Sequence, residues 1–133
     1  MICLDTAFII DLLKNRKGAV NKFSELKNVD LATTSISLYE IKAGIYRKYD
    51  ASLIQSELIQ FNDFLESMHI LNINNASIQL SAEINGELTK TGSIIGDFDI
   101  LIAGICLSNG CSRIVTKNVK HFSKIKGLKV ETY

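Results

Sequence analysis

Apolar positions along this chain follow two rhythms. Short apolar-rich runs at Ile2-Cys3-Leu4, Val29 to Thr34, His69 to Ile73, Arg113 to Thr116 and Leu128 to Thr132 predict strands buried in a sheet. Between them apolar residues return every three or four positions, which predicts helices. Phe8, Ile9, Leu12 and Leu13 place one helix over Ala7 to Lys14, and a second runs from Ala19 to Leu26 after a turn at Lys17-Gly18. Ser35 and Ser37 open a third, which continues to Tyr46. Ile54, Leu58, Phe61 and Leu65 mark a helix over Leu53 to Leu65, and Ile78, Ala82, Ile84 and Leu88 mark a longer one over Asn75 to Thr91. Ile94 to Ile105 is apolar on nearly every face, with Gly110 as the stop beyond it. Val119 to Phe122 reads as a helical turn.

Short strands alternating with helices predict a parallel α/β sheet. No repeat, low-complexity segment or linker interrupts the pattern. Residues 1–133 are therefore expected to form one domain, long enough to bury its own core. In open α/β sheets, ligands bind beyond the carboxyl ends of the strands. Asp5 and Asn118 stand at two such ends.

Composition works mainly by exclusion. A net charge of +1 does not mark a nucleic-acid binder, so any basic surface must come from local clustering. Proline is absent, which excludes a proline-rich linker or recognition segment. Cys3, Cys106 and Cys111 lack Cys-x-x-Cys spacing and have apolar neighbours, as expected of buried free thiols in a reducing compartment. No signal peptide or membrane-length apolar run is visible, so the expected location is cytoplasmic, away from membranes.

The acids carry more information. Asp97 and Asp99 stand at the mouth of the apolar stretch, and a helix cap explains only one of them. Two residues apart, they cannot share a helix face. Asp99 aligns with Ile102, Ala103 and Cys106, which leaves Asp97 as the better cap. Asp5 closes a buried strand, where it can cap the following helix or serve a site. Glu40 has Ile36, Ala43 and Gly44 around it on its helix and no Lys or Arg one turn away to pair with. Carboxylates gathered in one pocket repel each other unless some stay protonated or a cation joins them. With oxygen donors and no credible His or Cys set, that cation is Mg2+ or Mn2+. Such a site suits phosphodiester hydrolysis. Arg113, Lys117, Lys120, Lys124, Lys126 and Lys129 crowd the last stretch, fitting either a solvated face or a phosphate backbone. His69 and His121 read as structural or surface residues.

Four segments in register resemble the PIN-domain family, and specifically its VapC-type toxin ribonucleases. They are Ile2-Cys3-Leu4-Asp5-Thr6, Ala32 to Ile41, Gly96 to Gly104, and Ile114-Val115-Thr116-Lys117-Asn118, with Gly127-Leu128-Lys129-Val130 similar to the closing strand. The resemblance implies a three-layer α/β/α domain with a central, mainly parallel sheet. It implies a metal-dependent endoribonuclease, with Asp5, Glu40 and Asp99 as the acidic site for Mg2+ or Mn2+. Asn118 falls where a fourth acid is common, and Ala7 replaces the usual Asn two positions after the first Asp. Thr6, Ser35 and Thr116 would orient acids or bound water, with Asp97 in an outer role. Lys117, Lys120 and Arg113 are candidate RNA contacts. A cognate antitoxin and a homodimer are the implied partners. Two other readings remain: a PIN-like RNA-binding or assembly protein with weak catalysis, and a receiver-like signalling domain. The second wants paired acids after the first strand, where this chain has Thr6 and Ala7.

Overall fold

The computed structural model describes all residues from Met1 to Tyr133. The strands are β1 (Ile2–Leu4), β2 (Leu31–Thr34), β3 (His69–Leu71), β4 (Arg113–Val115) and β5 (Lys129–Glu131). The helices are α1 (Thr6–Leu13), α2 (Lys17–Glu25), α3 (Ser35–Tyr46), α4 (Ala51–Leu65), α5 (Asn75–Lys90), α6 (Asp97–Ser108) and the single turn α7 (Val119–Phe122). All five strands are parallel, in the order β3-β2-β1-β4-β5. No helix is long and apolar enough to cross a membrane.

Alternation along the strands sorts side chains into two cores. Ile2 and Leu4 of β1 face one layer, with Phe8, Ile41, Ile45 and Phe61 from α1, α3 and α4. Cys3 faces the other, with Leu88 from α5 and Ile102, Ala103, Ile105 and Cys106 from α6. Both faces of the sheet are thus covered, giving the three-layer α/β/α architecture expected. One local expectation fails. Lys17-Gly18 is no turn, because α2 already begins at Lys17. The chain turns instead at Asn15, whose φ of 56° is the left-handed region that Asn tolerates.

Strand order determines where a site can lie. The chain builds outward from β1 to β2 and β3, then crosses back to lay β4 and β5 on the other side. Connections therefore diverge between β1 and β4, opening a crevice at their carboxyl ends. Asp5 follows β1 there, and Thr116 and Asn118 follow β4. Helix α6 runs back into the start of β4, so its first turn, holding Asp97 and Asp99, stands at the same edge.

Candidate acidic site at the switch point

Asp5 is both a cap and a buried acid. It takes the N-cap position of α1, and its Oδ1 accepts from the Thr6 backbone N–H at 2.8 Å. Its Oδ2 accepts from the Thr116 hydroxyl at 2.7 Å, a bond from the end of β4 to the end of β1. Only 1% of Asp5 is exposed. Burial is the main reason its carboxyl is pushed up to about 6. The Thr116 bond opposes that rise, while the charges of Asp99 and Glu40 add to it. Of the other two acids, Glu40 is joined to Asp5 through Thr6, and Asp99 stands in the first turn of α6 at the same edge of the sheet.

Glu40 lies on α3, and its Oε1 accepts from the Thr6 hydroxyl at 2.7 Å. Thr6 therefore ties Asp5 through its backbone and Glu40 through its side chain. The partner that the local sequence could not supply is 34 residues away. Asp99 sits in the first turn of α6, and its Oδ2 is 2.7 Å from His121 Nδ1. His121, expected to be structural or on the surface, thus touches a site acid. Its signal was weak but present: it lies three residues past Asn118, and the α7 turn bonds its N–H to the Asn118 carbonyl.

Other expected residues fall differently. Asp97 is exposed and gives no side-chain cap; Gly96 holds the N-cap position, and both acids merely lie in the first turn. Ser35 does not reach an acid, because its Oγ accepts from the Ile73 N–H at 3.1 Å and fastens the loop after β3. Asn118 donates its backbone N–H to Thr116 Oγ1 at 3.0 Å, and its side chain makes no hydrogen bond. Arg113 lies at the far end of β4, bonded through Nε to Glu131 at 2.8 Å. Lys117 pairs with Asp11 at 2.9 Å, which also accepts from the Tyr133 hydroxyl. These partners hold Asp11 and Glu131 below the usual carboxylate range; for Glu131, burial works against that fall. Of the three candidate RNA cations, Lys120 alone is exposed and without an ion pair.

No group of three or more His, Cys, Asp or Glu side chains is arranged to hold a metal ion as it stands. The donor chemistry nonetheless fits a hard cation that keeps several of its waters. All three acids offer oxygen, a cation would relieve the pressure on Asp5, and one oxygen each of Glu40 and Asp99 makes no hydrogen bond.

Fold and site define a doubly wound α/β domain with an acidic crevice at its switch point. The PIN domain family matches residues 2–128. Ribonuclease VapC2 of Rickettsia felis is 31% identical over 132 residues, covering 98% of this chain and 96% of that protein. The tRNA(fMet)-specific endonuclease VapC of Shigella flexneri is 28% identical over 130 residues, with the same two coverages, 98% and 96%. Among solved structures, VapBC2 from Rickettsia felis bound to a DNA fragment from their promoter aligns with a TM-score of 0.86 at 29% identity. That alignment covers 100% of this chain and 99% of the other. The chain belongs to the PIN-domain family, and its relatives there are VapC ribonucleases.

Proposed function

We propose that this protein is a metal-dependent endoribonuclease and the toxin half of a VapBC-type toxin–antitoxin pair. The observation that carries the reading is the placement of Asp5, Glu40 and Asp99, from three separate elements, at the switch-point edge of the sheet, with Thr6 joining the first two. The ribonuclease names of the relatives, and the VapB–VapC complex among the solved structures, support it.

Asp5, Glu40 and Asp99 would hold Mg2+ or Mn2+. Such an ion, when bound, supplies Lewis acidity toward a phosphodiester and lowers the pKa of bound water. Asp5 is fixed by its two donors, Thr6 N–H and Thr116 hydroxyl. Glu40 and Asp99 each keep one oxygen outside any hydrogen bond. Asn118 brings an amide without charge to the rim, and Lys120 offers a cation for the RNA backbone.

Beside Glu40, a cavity of about 200 Å³ runs between α1, α3 and α4. Leu13, Ile41 and Ile45 make part of its wall, and Glu40 is among its lining residues. It suits an antitoxin segment with an apolar face. A second copy of the chain would cover the exposed aromatic pair Tyr39 and Phe98, whose rings meet edge to face at 5.8 Å.

Purified protein with Mn2+ should cleave RNA, chelator should stop it, and Asp5→Ala should be inactive while still folded. Undiminished cleavage by Asp5→Ala would overturn the assignment. The second reading, an RNA-binding protein with weak catalysis, draws on uncharged Asn118. It predicts RNA binding with weak Mn2+ uptake and little turnover.

A further inference from the structure

Each acid of the site is held by one side-chain donor from another part of the chain. Thr116 holds Asp5, Thr6 holds Glu40 and His121 holds Asp99. The threonines are buried or half-buried and their bonds also tie elements together. The histidine differs, since its side chain is 45% exposed and the turn that bears it needs no help from that bond. Phe122, Ile125 and Leu128 anchor α7 and the following loop in the core, and the Asn118 N–H bonds Thr116.

Asp99 has a competing use for its carboxylate. Gly96, the N-cap of α6, has no side chain to accept from the first-turn N–H groups. Those groups and the positive helix end draw any nearby carboxylate toward themselves. Asp99 sits within that turn, yet its Oδ2 is taken by His121. We infer that His121 is a positioning residue: its Nδ1–H holds the Asp99 carboxylate away from the helix end and presents its second oxygen for cation binding. This rests on the nuclease reading above. Donors that orient a ligating carboxylate typically control metal affinity or activity by about 10–100-fold.

The experiment compares wild type with His121→Ala, His121→Asn and His121→Gln. Mn2+ binding is measured by calorimetry on protein without RNA, alongside kcat and KM for RNA cleavage and the imidazole 15N spectrum of the metal-free wild type. The spectrum should show Nδ1 protonated. Ala should weaken Mn2+ binding and lower kcat by about 10-fold or more, with KM nearly unchanged. Asn, whose amide nitrogen takes the place of Nδ1, should restore most of both; Gln, whose nitrogen falls where Nε2 was, should not. Equal behaviour of Ala and Asn, a loss confined to KM, or an Nε2-protonated neutral ring would each overturn the inference. A wild type that neither binds Mn2+ nor cleaves RNA would instead overturn the nuclease reading, and the 15N spectrum would still report on His121.

Discussion

At the scale of single residues, Asp5 holds two roles that pull against each other. The fold needs an acceptor at the start of α1, while the site needs a buried acid, and burial works against the charge. Its carboxyl is raised from 3.8 to about 6. Between those values the folded chain keeps a proton that the unfolded chain has released, so stability falls as pH rises through that window. The full cost at neutral pH is about 3 kcal/mol. Asp5→Asn should therefore raise the Tm of metal-free protein at pH 7.5, flatten its decline from pH 4 to pH 6, and abolish RNA cleavage. Thermal denaturation at several pH values checks the first two, and an unchanged slope in the variant would show that another group carries it. Mn2+ should stabilise wild type more at pH 7.5 than at pH 5, because protonated Asp5 is a poor ligand.

At the scale of elements, α6 is pressed against α5 so closely that a glycine is required. A Cβ at Gly104 would come within 1.9 Å of Ser81 Oγ and 3.0 Å of the Ser77 carbonyl oxygen. Gly→Ala in a helix gains about 1 kcal/mol of propensity, but overpacking costs about 1–3 kcal/mol. Contact with backbone makes the clash win. Gly104→Ala should destabilise by up to about 2 kcal/mol and disturb Asp99, which rides on the same helix. At Gly44 on α3 a Cβ meets nothing within 4 Å, so Gly44→Ala should stabilise the free chain by up to about 1 kcal/mol. Urea unfolding of the two variants should move the midpoint in opposite directions.

At the scale of the whole molecule, the net charge of +1 means that the proposed attraction to RNA would depend on local cations. Several of the cations near the C-terminus are already engaged. Arg113 and Lys22 share Glu131, and Lys117 is paired with Asp11. Lys120→Ala should weaken RNA binding several-fold and reduce the salt slope by about 1. Arg113→Ala should leave RNA affinity unchanged and cost less than about 1 kcal/mol, because its ion pair is partly exposed. Titrations of RNA at several salt concentrations separate the two, and a matching loss in Arg113→Ala would return that residue to the RNA face.

What the sequence determined by itself was local. Residues a few positions apart share a helix face or a strand, so periodicity placed the strands and helices close to their observed bounds and set Asp5 and Asn118 beyond strand ends. The family resemblance selected Asp5, Glu40 and Asp99 from the acids available. Tertiary structure decided the pairings between distant positions: His121 with Asp99 across 22 residues, Thr6 with Glu40 across 34, and Lys117 with Asp11 across 106. It also gave Ser35 to a loop and Asp97 to solvent. Such pairings depend on which strands lie side by side and which helix ends meet the crevice. Hydrophobic rhythm, which reports only that a residue faces inward, does not encode that order.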